Sequence, residues 1–115
     1  MQRGEIREVN FAPARGSEAN KRRPAVIVSN DGANTTASSL GRGVITVVPV
    51  TSNVTRVYPF QVLVPAKDSG LRRDSKAQAE QVRSVAVERI GRRLGQLTSS
   101  LMSELDDALR LHLSL

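Results

Sequence analysis

The chain has 115 residues, a formal net charge of +6, one histidine and no cysteine. We expect one domain, 1–115, with a modest core, and the missing cysteine excludes disulfides and thiolate metal sites. All but three of the 17 cationic side chains are arginine, which binds phosphate bidentately, so an anionic polymer is the first partner to consider. Aromatic residues make up only 3% of the chain, which argues against a general single-strand binder that stacks bases.

The remaining composition limits cofactors and location. A metal centre would need carboxylates alone, and no carboxylate cluster occurs in the sequence, so we expect no metal and no cofactor. The N-terminal region lacks an apolar signal core, and no segment approaches the roughly 20 apolar residues of a membrane span. We therefore expect a soluble, cytoplasmic protein with no membrane partner.

In chain order, residues 4–11 are predicted as a first strand, and residues 12–20 as a polar loop. The segment KRRPAVIVSN at 21–30 follows. Pro24 favours an extended backbone at Arg23, and residues 25–28 are typical of a strand buried on both faces. Arg23 is thus predicted at the start of a core strand, where its side chain could bind a phosphate. Lys21 and Arg22 are predicted on the preceding loop. The alternative is a solvated charge cluster that blunts a strand end.

Residues 34–42 are predicted as a loop or at most one helical turn. Residues 43–50 form the next β-branched run, with Thr51 and Ser52 at its end; Pro49 predicts that this strand lies at an edge or is bulged there. Residues 60–65 are predicted as a strand, 66–73 as a loop, 74–87 as two short strands around 79–81, and 91–95 as a basic turn.

Residues 98–115 are predicted as an amphipathic helix because Leu101, Leu105, Ala108 and His112 fall on or beside one stripe. We expect His112 to be packed there rather than catalytic. Five or six short strands followed by one helix predict a small curled antiparallel sheet or barrel of the α+β class, mainly β.

Polar residues recur at the ends of these predicted elements: Ser17, Glu18, Arg23, Thr51, Ser52, Gln81 and Arg83. Such groups could act by positioning and electrostatics. Cleavage of RNA by its own 2′-hydroxyl requires little more, because the substrate supplies the nucleophile. Arg23 could bind the phosphate, Thr51 could donate to a non-bridging oxygen, and Glu18 is the candidate for proton transfer.

Four motifs, RRPAVIVSN, VVPVTSNV, YPFQVLV and AEQVRSV, together with GSE before the first, resemble the MazF/PemK (Kid) family of toxin endoribonucleases. The resemblance covers the whole chain. It implies an SH3-like, CcdB-like barrel with a C-terminal helix, in a homodimer with an RNA groove across its interface. It also implies a metal-independent, sequence-specific endoribonuclease (mRNA interferase) that leaves 2′,3′-cyclic phosphate and 5′-hydroxyl ends on single-stranded RNA.

The resemblance also implies roles for individual residues. The family's catalytic arginine falls at Arg23, its catalytic threonine at Thr51 and the GSE glutamate at Glu18. The resemblance further implies RNA contacts at Ser17, Ser52 and Gln81. Apart from the resemblance, the cationic side chains of Lys21, Arg22 and Arg83 are expected to contact RNA as well. One departure is Arg7, which stands where the family usually carries Trp or Tyr and leaves the packing of the first strand open.

The implied partners are single-stranded RNA and a MazE-like antitoxin with an acidic, flexible tail. Two alternatives stay open at this point. One is a non-catalytic CcdB-like toxin that poisons DNA gyrase on the same fold, and the other is a basic RNA-binding module without turnover.

Overall fold

A computed structural model describes residues 1–12, 16–17 and 21–115 of the chain. Among these residues are seven strands and two α-helices, with short 3₁₀ turns at 66–68, 79–81 and 87–89. The strands are β1 Glu5–Asn10, β2 Arg22–Ile27, β3 Val44–Thr51, β4 Gln61–Val64, β5 Ser75–Gln78, β6 Arg83–Ala86 and β7 Ile90–Gln96. The helices are α1 Asp31–Leu40 and α2 Ser99–Leu113.

The strands form one antiparallel sheet in the order β4-β5-β3-β2-β1-β7, and β6 also pairs with β3. The mainly β, α+β class expected from the sequence is confirmed. Of the two alternatives predicted from Pro49, an edge strand or a bulge, the edge strand is wrong, because β3 is central and Pro49 lies opposite Ala25 of β2. On its other side β3 pairs with β6 at residues 44–47 and with β5 at 50–51. Pro49 falls between these two pairings, where its missing N–H removes no ladder bond.

Both faces of the sheet carry a core, because successive side chains of a strand alternate between faces. Val26 packs in the cluster that Leu101 and Leu105 of α2 cover, whereas Ala25 and Ile27 pack in the cluster on the opposite face. The buried run predicted for this strand is therefore confirmed. The two faces are called below the α2 face and the opposite face.

Helix α1 corrects the prediction of a loop over residues 34–42. The Asn30 side chain caps it by accepting a 2.8 Å hydrogen bond from the Ala33 N–H. Gly41 ends it with a φ of 64°, a left-handed conformation that suits glycine. Ala37 is buried in the opposite-face cluster. Two good caps and one anchored face outweigh the weak helix propensity of this small, polar segment.

The C-terminal helix is confirmed, with Thr98 as its N-cap. Leu101, Leu105 and Ala108 are buried, as the amphipathic stripe predicts. His112 is exposed, however, so the prediction of a packed histidine is wrong. The whole last turn of α2 is exposed, from Arg110 onward.

Residues 91–95, predicted as a turn, lie inside strand β7, which pairs with β1 through irregular register. Arg7 explains how the first strand packs without the usual aromatic residue. Its Nε donates to Glu5 Oε1 at 3.0 Å, and its Nη1 donates to the Gly91 carbonyl at 3.0 Å, which links β1 to β7. In the part of the chain that the structure describes, no helix is long and apolar enough to cross a bilayer.

Candidate RNA-cleavage site

Arg23 and Thr51 meet at the end of the sheet where β2 begins and β3 ends. The pairing of these strands places Ala25 opposite Pro49. The pairing ends there, and Arg23 and Thr51 lie two residues further along their strands, toward the same end of the sheet. Because side chains alternate along a strand, Arg23 shares the opposite face with Ala25 of β2, and Thr51 shares it with Val47 of β3. The sequence thus brings together the two groups assigned to phosphate binding.

Arg23 is half-buried in β2 and lies opposite Val9 of β1. Burial lowers the pKa of its guanidinium below the ordinary arginine value. No carboxylate of the described residues lies within ion-pair distance of it. Arginine still carries its proton at neutral pH, so the site holds a partly desolvated cation. A phosphate anion at this position would offset that desolvation cost.

Thr51 is half-buried at the end of β3, opposite Lys76 of β5. Its hydroxyl oxygen accepts a 3.2 Å hydrogen bond from the Asn53 N–H. This bond fixes the oxygen and leaves the hydroxyl proton available for donation to a ligand. Lys76 is itself buried, and its Nζ donates to the Arg56 carbonyl at 2.6 Å, which fastens the segment after Thr51 to the sheet.

A groove of about 660 Å³ runs past this pair. It is lined by Arg23 and Thr51 together with Ser52, Arg22 and Pro24. Four further arginines complete its basic wall: Arg72, Arg73, Arg92 and Arg93. Within the described part of the chain, Glu8 is the one acidic residue of the lining. The groove is therefore strongly cationic and suited to a polyanion.

The four arginines of the wall were not predicted as site residues. Residues 72–73 lie between β4 and β5, and residues 92–93 lie in β7. The paired RR dipeptides were the available signal in the sequence. Their meeting depends on contacts between distant segments, which periodicity cannot reveal.

Arg22 requires a correction. It belongs to β2, opposite Asn10 of β1, rather than to the preceding loop, because the pairing with β1 extends to this residue. Its Nη1 lies 3.5 Å from Glu8 Oε1. Lys21 does precede the strand as predicted; it is exposed, with a φ of 61°, and does not line the groove.

Gln81, Arg83 and Ser17 lie outside the lining of this groove. The Gln81 Nε2 donates to the Ser17 carbonyl at 3.0 Å, so the loop after β1 contacts the turn before β6. The Arg83 guanidinium lies 5.6 Å from the centre of the Phe11 ring. Arg83 also pairs with Val47 of β3 and therefore shares the opposite face with Arg23. Glu18 lies outside the described residues.

The chemistry open to this set is limited to positioning, hydrogen bonding and charge. Among the described residues, no group of three or more His, Cys, Asp or Glu side chains is arranged to hold a metal ion. A guanidinium and a hydroxyl can nevertheless bind the non-bridging oxygens of one phosphodiester. That arrangement stabilises charge that develops on phosphorus during an in-line attack.

Comparison with known proteins identifies the family of this chain. Residues 2–113 match the model of the PemK-like, MazF-like toxins of type II toxin–antitoxin systems. The chain is 63% identical to endoribonuclease MazF9 of Mycobacterium tuberculosis, over 100% of this chain and 98% of that protein.

Solved structures share the fold. MazF from Deinococcus radiodurans superposes with a TM-score of 0.77 at 26% identity, covering 100% of this chain and 97% of that one. MazE–MazF from the same organism gives a TM-score of 0.75 at 25% identity, covering 100% and 96%. The family match and the relative of nearly equal length confirm the resemblance carried by the four motifs. The chain belongs to the PemK-like, MazF-like family of type II toxins.

Proposed function

We propose that this chain is the toxin of a type II toxin–antitoxin system and acts as a metal-independent, sequence-specific endoribonuclease on single-stranded RNA. The observation that carries the proposal is that Arg23, near the start of β2, and Thr51, at the end of β3, line one cationic groove. The relative at 63% identity is an endoribonuclease, which supports the same activity here. Inhibition of translation and growth follows from cleavage of cellular RNA.

In the proposed reaction, the 2′-hydroxyl of the substrate loses its proton to the general base and attacks the adjacent phosphorus. The bond to the 5′-oxygen of the next nucleotide breaks, and that oxygen takes up a proton from solvent. The products carry a 2′,3′-cyclic phosphate and a 5′-hydroxyl, and no water attacks the phosphorus. Arg23 binds the phosphate bidentately and stabilises the charge on its oxygens. Thr51 donates its hydroxyl proton to a non-bridging oxygen, while the Asn53 N–H holds its oxygen in place. Glu18 is the candidate general base.

Cleavage in the presence of EDTA tests the proposal. A long single-stranded RNA incubated with the purified protein should yield discrete fragments ending in cyclic phosphate. Intact RNA would contradict the enzyme hypothesis and favour a binding module. A CcdB-like gyrase poison would leave RNA intact and stabilise gyrase–DNA cleavage complexes instead; the Arg23–Thr51 pair and the endoribonuclease relative do not favour that alternative.

Thr51 should matter for its hydroxyl rather than for its shape. Thr51→Val keeps the volume of the side chain but removes the donor, so we expect the single-turnover cleavage rate to fall about 10²-fold. Thr51→Ser keeps the donor and should stay within about tenfold of the wild-type rate. Circular dichroism of both variants controls for folding. An unchanged rate in Thr51→Val would remove Thr51 from the mechanism.

The role of Glu18 is open to a pH test. A general base acts only when it is deprotonated, so the wild-type rate should rise with pH on the acidic side of its profile. Glu18→Gln should be slower and lack that acidic limb. If the limb persists in Glu18→Gln, another group accepts the proton. Single-turnover rates across the acidic range provide the measurement.

The partners follow from the family and from the charge of the groove. We propose that one domain, 1–115, forms a homodimer, so that two copies of the basic groove act near one two-fold axis. A MazE-like antitoxin with an acidic tail would compete with RNA for the cationic surface, and a MazE–MazF complex is known for the Deinococcus radiodurans relative. We propose the cytoplasm, where RNA and antitoxin are made, as the place of action.

The remaining candidate residues serve RNA binding in this proposal. Ser52 and Arg22 line the groove and would contact the RNA backbone, while exposed Lys21 would contribute to electrostatic attraction. Gln81, Arg83 and Ser17 would contact bases from the neighbouring part of the surface. Their support is the family pattern together with the contact between Gln81 and Ser17.

A further inference from the structure

We propose that Arg72, Arg73, Arg92 and Arg93 form a second phosphate-binding segment, which holds the RNA strand beyond the phosphate that is cleaved. This segment is called the arginine wall below. The inference rests on the proposed function, because it takes the scissile phosphate to lie at Arg23. Its ligand is the backbone of single-stranded RNA, bound through phosphates and without reading of bases.

The charges around the groove are unbalanced. Among the residues that the structure describes, six arginines line it, against the single carboxylate of Glu8. That carboxylate is already shared, since Arg22 lies 3.5 Å and Arg92 lies 3.6 Å from its two oxygens. Arg72 and Arg73 have no ion-pair partner among the described residues. Crowded like charges raise the energy of the unliganded fold, and a bound polyanion relieves that repulsion.

The wall is held in place by the backbone. The Gln96 N–H donates to the Ser69 carbonyl at 3.1 Å, which ties the segment after β4 to the end of β7. The Asp74 side chain accepts a 2.9 Å hydrogen bond from the Ala66 N–H and closes the other end of that segment. The two arginines between these ties therefore face the groove from a fixed loop. A fixed guanidinium loses little backbone freedom when it binds phosphate.

Two glycines allow the loop after β4 and strand β7 to approach each other closely. Gly70 has a φ of 85°, and a Cβ there would lie 3.5 Å from the Cα of Gly95. A Cβ at Gly95 would lie only 1.9 Å from the Ser69 carbonyl oxygen. The backbones of the loop and of β7 thus touch without side chains between them. This contact brings residues 72–73 and 92–93 to one groove.

RNA is favoured as the occupant because the wall is continuous with the proposed cleavage site. Arg23, Thr51 and the four wall arginines line one groove. A strand whose scissile phosphate lies at Arg23 has to continue past it, and the arginine wall supplies further cations within the same groove. An acidic protein segment carries carboxylates that arginine also binds, so it is an outcome that the experiment must separate.

The test compares two double variants that lose the same net charge. Arg72→Ala/Arg73→Ala removes half of the wall, whereas Arg42→Ala/Arg110→Ala removes two exposed arginines outside the groove. Each protein is titrated with a long and a short RNA, of about 14 and about 4 nucleotides, centred on the mapped cleavage sequence and made uncleavable by 2′-deoxy substitution. Binding is measured at several salt concentrations. Cleavage of a long unmodified RNA is followed in parallel, so that failure of the proposed function is seen separately.

We expect Arg72→Ala/Arg73→Ala to bind the long RNA about tenfold more weakly and the short RNA as the wild type does. The slope of log affinity against log salt should fall by about 0.7 for each phosphate contact that is lost. The control variant should keep the wild-type ratio of long to short affinity. Equal losses in both variants, or a long-RNA affinity unchanged in Arg72→Ala/Arg73→Ala, would overturn the proposal. A poly-glutamate peptide is titrated in the same way. If Arg72→Ala/Arg73→Ala loses binding only to this peptide, the proposal is overturned and the wall is assigned to an acidic protein.

Discussion

Replacing Arg23 with alanine is expected to lower the single-turnover rate of RNA cleavage by about 10³-fold or more. The change removes the bidentate cation that neutralises charge on the phosphate, and water entering the space cannot replace a fixed guanidinium. Arg23→Lys should recover only part of the loss, because an ammonium keeps the charge but not the planar fork. Rates at saturating enzyme separate this effect on the chemical step from weaker binding.

Folding gives an independent control for the same position. Arg23 is a partly desolvated cation whose pKa burial lowers, and it has no carboxylate partner among the described residues. Because its folded pKa lies below its unfolded pKa, the charged form opposes folding throughout the neutral range. Arg23→Met should therefore unfold at the same temperature as the wild type or at a higher one, while remaining inactive. A clearly lower Tm would show that Arg23 has a structural role, and wild-type cleavage would exclude it from the mechanism.

Gly95→Ala is expected to destabilise the fold strongly, and much more than Gly41→Ala. The added Cβ would lie 1.9 Å from the Ser69 carbonyl oxygen, so the backbone of either β7 or the loop has to move. We expect the free energy of unfolding to fall by about 3 kcal/mol, with a Tm lower by roughly 10 °C. Thermal and urea denaturation would measure both quantities.

Gly41→Ala provides the matched control. Gly41 also has a left-handed backbone, with a φ of 64°, but no atom lies within 4 Å of a Cβ built there. Its substitution should cost only about 1 kcal/mol, the strain of a non-glycine residue in that conformation. Equal destabilisation of the two variants would mean that the backbone contact between β7 and the loop contributes nothing. Because that contact also positions the arginine wall, folded Gly95→Ala should bind long RNA more weakly than Gly41→Ala.

Local signals in the sequence predicted much of the fold. The apolar run after Pro24 and the helical stripe through Leu101 and Leu105 identified β2 and α2, because both patterns report burial directly. Helix α1 was missed, since its two caps are single residues at the ends of a polar segment of weak propensity. His112 was misplaced for another reason. Periodicity assigns a residue to one face of a helix, but it does not show whether another element covers that part of the helix.

The site was predicted in part for similar reasons. Arg23 and Thr51 stand at the ends of recognisable strands, and family motifs mark both positions. The arginine wall had no such motif, because it exists only where the loop at 69–74 touches β7 near Gly95. That contact joins segments far apart in the chain, so composition recorded an excess of arginine without placing it. The proposed function of the arginine wall therefore rests on the tertiary structure and not on the sequence.

Substrate-assisted cleavage at Arg23 and Thr51 is tested most directly by removing the nucleophile from the substrate. Two RNAs of identical sequence, one carrying a single 2′-deoxy nucleotide at the mapped cleavage position, are incubated with the wild-type protein in EDTA. The unmodified RNA should be cut to a 2′,3′-cyclic phosphate and a 5′-hydroxyl, and the modified RNA should bind but stay intact at that position. Cleavage of the modified RNA at the same bond would contradict the proposed mechanism, because the attacking oxygen would then have to come from water.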